Sequence, residues 1–301
     1  MIITAVLAMI VLWCLFYGYI PGSVLISLCI VAGGILSVFG RHRHDDLLMI
    51  DILARKSRLY HVNALLKFGT IIILMILCIS SDSVVVGMFL AFLMLLMTVI
   101  AGGIKLRTYL SLMVLPVSFL LLSGLGLLFE FGSWPAGVLY IPFFHGYLYV
   151  SRFAQVRTAL IMSKAFGTLS CLYLFSLSTP MSEIIGVLRK VRVPGLMIEL
   201  MYLIYRYTFL VYEMYHSMKS AASSRLGDVD FPTRVKTTGS IFSNLLARSY
   251  RKASEMLDVM ESRCFDGEIR FWEKEKNVTG IQILTAAGMI VLTLLLMLGL
   301  H

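Results

Sequence analysis

The chain has 301 residues, 59% of them hydrophobic and 14% charged, with a mean hydropathy of +0.88. A soluble domain carries about 25% charged residues, so water is not the main solvent here and a soluble enzyme is excluded. The net charge is +9, but 15 of the 26 basic residues fall between Arg189 and Lys276, interleaved with 12 acidic ones from Glu183 to Glu275. Such a mixed, amphipathic stretch is not a phosphate-binding strip, and nucleic acid is not expected as a partner.

A spanning helix needs about 20 mostly apolar residues, because every backbone N–H and C=O must be paired inside lipid. Ile2 to Ile20 and Val24 to Phe39, parted by Pro21-Gly22, read as an N-terminal hairpin over residues 1–40. The first run has no basic flank and no cleavage site after it, so it reads as retained rather than as a signal peptide. Residues 41–179 open with the charged segment Arg41 to Arg58. They continue with spans Leu65 to Ser80, Val84 to Ile100, Tyr109 to Phe129 and, despite Lys164, Thr158 to Ser178. Phe131 to Tyr149 is rich in Gly, Pro and aromatics and reads as a re-entrant or surface-lying piece. Residues 277–301 hold the last span, Thr279 to Leu300.

Counting basic residues puts Arg41 to Arg58, Lys105 with Arg107, and Arg189 to Lys276 in the cytoplasm. The N-terminus then lies inside and the C-terminus outside. The cysteines Cys14, Cys29, Cys78, Cys171 and Cys264 are scattered without C-x-x-C spacing, so neither disulfides nor zinc are expected.

Residues 180–276 are helical in pattern yet too apolar for a solvated loop. After a short helix, Ser182 to Arg192, and the break at Pro194-Gly195, a second over Leu196 to Lys219 carries Leu196, Leu200, Leu203, Tyr207, Leu210, Met214 and Met218 at spacings of three and four. Past the turn Gly227 to Pro232, a third helix, Ser240 to Arg263, sets Phe242, Leu245, Leu246, Ala253, Met256, Leu257 and Met260 on one side, and Arg248, Arg251, Lys252, Glu255 and Asp258 on the other. These stripes need something to pack against. Both long helices end alike, in Ser224-Arg225-Leu226-Gly227 and Ser262-Arg263-Cys264 with Gly267 beyond. From pattern alone, Arg225 and Arg263 read equally as cations complementing a helix dipole and as two equivalent contacts for two equivalent partners, with a glycine following as a possible cap.

The order Asp51-Ile52-Leu53-Ala54, Ser57, Leu59 and Lys67, then Pro180-Met181-Ser182-Glu183, Val193-Pro194, Tyr205-Arg206-Tyr207, Glu213 and the two arginine motifs resembles the T component of energy-coupling factor importers, in particular the CbiQ-like permeases. The resemblance runs from about Asp51 to the C-terminus. It implies an all-α polytopic membrane protein with long cytoplasmic amphipathic coupling helices, docked through Arg225 and Arg263 on two cytoplasmic ATPase subunits. ATP and magnesium would be bound by those partners, with no cofactor in this chain, and a separate membrane subunit would bind the substrate, for which the resemblance leans toward cobalt or nickel and leaves vitamins open. Where the family has Ala-Arg-Gly, Ser224 and Ser262 replace the alanine, and Leu226 and Cys264 the glycine.

Other residues carry weaker signals. Arg41-His42-Arg43-His44-Asp45-Asp46 offers imidazoles and carboxylates, but its arginines oppose a cation, and a solvated anchor is the favoured reading. The alternative function, an intramembrane enzyme using Lys164, Glu130 and His145, has no convergent motif behind it. No Walker A sequence, G-x-S-x-G or H-E-x-x-H occurs.

Overall fold

The computed structural model describes residues 2–17, 49–132, 139–143, 146–265, 276 and 278–299. The second run of the N-terminal hairpin, the basic cluster at 41–46 and His145 lie outside them. The chain divides into two compact units, residues 1–180 with 276–301, and residues 181–275.

In the first unit α1 spans Ile2–Phe16 and α2 Met49–Lys56. A 3-10 turn, Arg58–His61, leads into α3, Ala64–Ser80. Next come α4, Val84–Leu96, extended by a π-helical turn over Met97–Ala101, α5, Leu106–Leu128, and α6, Arg152–Ser178. Helix α10, Gly280–Gly299, ends the described chain. Side-chain caps start these helices where the sequence supplies them: Asn63, Ser83 and Ser151 each accept the N–H two residues on. Among the described residues four segments are long and apolar enough to cross a membrane, Val84–Ala101, Leu106–Leu128, Arg152–Ser178 and Gly280–Gly299, and Ala64–Ser80 is a shorter apolar helix.

Helix α6 begins six residues earlier than the hydropathy reading places it, since Ser151 caps it beyond the last apolar stretch. Its 27 residues outrun a hydrocarbon core of about 30 Å, leaving room for Arg152 and Arg157 past the lipid. Part of the stretch read as re-entrant or surface-lying forms a small antiparallel sheet. Strands β1, Glu130–Gly132, β2, Leu139–Phe143, and β3, Gly146–Val150, lie in the order β1-β3-β2, with Glu130 opposite Tyr149 and Tyr140 opposite the same residue on the other side. Aromatic and branched residues suit a pleated sheet, and Pro142 is tolerated because β2 is an edge strand.

Packing within this unit depends on close backbone approach. A methyl group on Gly87 would stand 2.4 Å from Ser163 Oγ and 2.5 Å from Ser163 O, and one on Gly167 2.8 Å from Gly87 O. Small residues at helix contacts are what membrane bundles use, since lipid offers no hydrophobic drive to bring helices together. Around this contact sit Ile71, Leu74, Cys78, Leu90, Met94, Cys171 and Leu174. Facing outward are Ile76, Phe92, Leu115, Phe119, Leu284 and Leu298, all exposed, a distribution suited to lipid rather than water.

The second unit contains α7, Met181–Lys190, α8, Gly195–Ser224, and α9, Phe231–Glu261. Helix α7 packs on α8, and α8 on α9. Helix α9 starts nine residues before the sequence reading, because Pro232 occupies its first turn, where a missing N–H costs nothing, rather than ending the loop.

Candidate functional site

The ends of α8 and α9 close in the same way. At α8, Gly227 N–H donates to Ala222 O and Leu226 N–H to Ser223 O. At α9, Phe265 N–H donates to Met260 O and Cys264 N–H to Glu261 O. This paired bonding is a Schellman closure, which requires one residue in the left-handed region just past the cap. That residue is Leu226, with φ 61°, in the first case and Cys264, with φ 60°, in the second. Glycine was expected to cap both ends, but at α8 the left-handed position falls one residue before Gly227, and Gly267 lies outside the described residues. The end of α7 repeats the closure, with Arg192 at φ 67°.

At the ends of α8 and α9 the residue before the left-handed one is the arginine, whereas at α7 the arginine is itself the left-handed residue. Arg225 and Arg263 are both exposed. Among the described residues no hydrogen bond or ion pair engages either guanidinium. Ser224 Oγ donates to Ser220 O at 3.0 Å and Ser262 Oγ to Val259 O at 2.9 Å, so both hydroxyls are satisfied within their own helices and leave the arginine as the outward-directed group. The α8–α9 connection is itself closed, since Ser223 Oγ donates to Asp228 Oδ2 at 2.7 Å and Arg234 donates to Asp228 O at 3.0 Å.

Of the residues read as packing positions, Leu245 is buried, while Leu203, Tyr207, Leu210, Met214, Met256 and Met260 are half-buried. Leu246 is 74% exposed, about 100° round α9 from Leu245. Sequence periodicity did not single out Tyr215, whose ring lies 6.1 Å from that of Phe242 and joins α8 to α9. Leu196, Ile204, Leu246 and Tyr250 are each more than three-fifths exposed, so a large apolar surface on these two helices is left uncovered by their own unit.

A second cluster surrounds the turn before α3. Lys67, 8% exposed, donates from Nζ to Leu59 O and to Ser178 O, each at 2.9 Å. Lys276 donates to Tyr60 O, its ammonium sits 3.7 Å from the centre of the Tyr60 ring, and its carbonyl accepts from Asn63 Nδ2 at 2.7 Å. Ser57 Oγ and Arg58 N–H both donate to Gly102 O at 3.2 Å. The residues Ser57, Leu59 and Lys67, noted in the sequence for their order, therefore meet at one place.

Lys164 pairs with Asp82 at 3.4 Å, in the connection between α3 and α4, and Glu130 sits in β1. The acid–base grouping of Lys164 with Glu130 thus gains no contact among the described residues.

These features define a polytopic membrane protein with an amphipathic helical unit between its last two spans, ending twice in an exposed arginine on a left-handed turn. The chain belongs to the CbiQ family of cobalt transport proteins, whose model matches residues 55–273. It is 27% identical over 231 residues to an uncharacterized protein of Methanocaldococcus jannaschii, covering 76% of this chain and 85% of that one. To a fused cobalt transport protein CbiMQ of Methanocorpusculum labreanum it is 28% identical over 80% of this chain and 41% of the relative. To the cobalt transport protein CbiQ of Salmonella typhimurium it is 22% identical over 73% of this chain and 97% of the relative. Family and apolar helices together make it a multi-pass protein of the cell membrane.

Proposed function

We propose that the chain is the transmembrane coupling subunit of an ATP-driven importer for cobalt or nickel. In this reading residues 181–275 lie in the cytoplasm, as the count of basic residues favours, and Arg225 and Arg263 dock on two ATPase subunits. The uncovered apolar faces of α8 and α9 serve these partners and a substrate-binding membrane subunit. The observation that carries the reading is the turn shared by α8 and α9: two exposed arginines, neither paired among the described residues, in one backbone geometry suit two copies of one kind of groove. Non-catalytic coupling also fits a chain without a phosphate-cradling loop. The names of relatives support cobalt as the cargo. ATP-driven closure would move the docked helices through contacts that differ between nucleotide states, as any two-state coupling requires.

Affinity purification of the tagged chain from mild detergent, with radioactive cobalt uptake measured in the same cells, tests this. Each arginine makes charge-assisted bonds worth about 1.5–3 kcal/mol, so losing one weakens docking by about tenfold or more. Arg225→Ala combined with Arg263→Ala is expected to lose the ATPases and uptake while the chain still inserts, and each single change to reduce both in part. Wild-type uptake by the double variant, with ATPases still bound, overturns the docking model.

A further inference from the structure

The inserted unit is joined to the membrane unit by two covalent connections, one after Ser178 at the end of α6 and one before Lys276. Both are bound to the same short turn. Ser178 O, one of the last four carbonyls of α6 and so without a partner in its own helix, accepts from Lys67 Nζ, which also donates to Leu59 O. Lys276 holds the same turn through Tyr60 O, the Tyr60 ring and Asn63. The turn is anchored in its turn to Gly102, in the connection of α4 to α5, by Ser57 and Arg58, and it runs directly into α3.

We infer that the turn Arg58–Asn63, with Lys67 and Lys276, is the positioning element through which displacement of residues 181–275 reaches the membrane helices. The inference rests on the coupling reading above and names the residues that would carry it. Motion delivered through two slack linkers would dissipate in them. Motion delivered through two connections held to one rigid turn is applied together to α3, to the α4–α5 connection and to α6.

The chemistry suits a part under load. Both lysines donate to carbonyls, Lys67 where the partial negative end of α6 favours a cation, and a charge-assisted bond in surroundings drier than water is stronger than its exposed counterpart. Gly102 and Gly103 allow the anchor. A methyl on Gly102 would fall 2.4 Å from Thr98 O, and Gly103 has φ +68°.

The test uses the whole complex in proteoliposomes, with ATP turnover and cobalt uptake measured on one preparation of wild type, Lys67→Met and Lys276→Met. Methionine keeps the apolar stem and removes the donors. Expected is retention of bound ATPases and of ATP turnover, with uptake per ATP lowered by about tenfold, the scale of an ordinary coupling energy. Lys276→Met keeps the test open should Lys67→Met fail to insert. Unchanged uptake per ATP in the variants that insert overturns the inference and leaves the coupling reading standing. Loss of the ATPases from the variants also overturns it, since the turn would then serve assembly. A wild-type complex that holds no ATPase removes the coupling reading itself.

Discussion

The contact between α4 and α6 offers a quantitative check on the fold. In Gly87→Ala the new methyl carbon would stand 2.4 Å from Ser163 Oγ, 2.5 Å from Ser163 O and 2.7 Å from Ser163 C. The hydroxyl can rotate away, though only by breaking its 2.6 Å bond to Val84 O. The carbonyl carbon and oxygen are backbone and cannot. Restoring an ordinary contact of 3.4 Å from the 2.5 Å to Ser163 O therefore means parting the helices by about 0.9 Å, and overpacking of this kind costs about 1–3 kcal/mol. Gly69 in α3 and Gly126 in α5 have open space where a methyl would go. There alanine is expected to be neutral or to stabilise by up to about 1 kcal/mol through helix propensity. Equilibrium unfolding of the full chain in mixed micelles, followed by circular dichroism over a range of SDS fractions, separates the two groups. Gly87→Ala is expected to unfold at a lower SDS fraction than wild type, and Gly69→Ala at the same or a higher one. Equal midpoints for Gly87→Ala and Gly69→Ala would show that α4 and α6 do not approach as described.

Two other outcomes follow from the second unit. Leu226→Gly and Cys264→Gly each relieve a left-handed residue that costs about 1–2 kcal/mol and add about 0.5–1 kcal/mol of chain entropy. A net gain of about 0.5–1 kcal/mol per site is expected, read as slower hydrogen exchange at the amides of Gly227 and Phe265, and faster exchange would contradict the turn geometry. Cys264 is exposed whereas Cys14, Cys78 and Cys171 are buried. A membrane-impermeant maleimide should therefore modify Cys264 only after the cells are permeabilised, with peptide mass spectrometry locating the adduct. Modification of Cys264 in intact cells would place residues 181–275 outside.

The spans were legible because lipid imposes one rule on every residue of a crossing helix, so four apolar runs sufficed to mark Val84–Ala101, Leu106–Leu128, Arg152–Ser178 and Gly280–Gly299. Their ends were less legible. Hydropathy stops at the lipid boundary, whereas helical hydrogen bonding continues, capped by Ser151, through Arg152 and Arg157 into the flanking region. The sheet at 130–150 was missed for a different reason. Its three strands are three to five residues long and mix glycine, proline and aromatics, and pairing between Glu130 and Tyr149 is a long-range relation that no local period encodes. Nor could periodicity see that Gly87, Ser163 and Gly167 form one contact, since each is an unremarkable small residue until two helices are laid together.

At the candidate site the division between legible and hidden runs between side chains and backbone. Arg225 and Arg263 stand out in the sequence because a helix C-terminus carries a local code of small residue, cation and turn. That code misplaced the cap, because glycine is the usual left-handed residue and Gly227 stood conveniently near, while the bonds from Gly227 to Ala222 and from Phe265 to Met260 assign the position to Leu226 and Cys264. A protein that accepts a strained side chain at both of two equivalent turns keeps each arginine at one fixed offset from its helix. Lys67 illustrates the opposite case. Its residue type and order were noted, but its partners are the carbonyls of Leu59 and Ser178, a group every residue possesses. Only the fold could reveal that this lysine and Lys276, more than two hundred residues further along, hold the same turn.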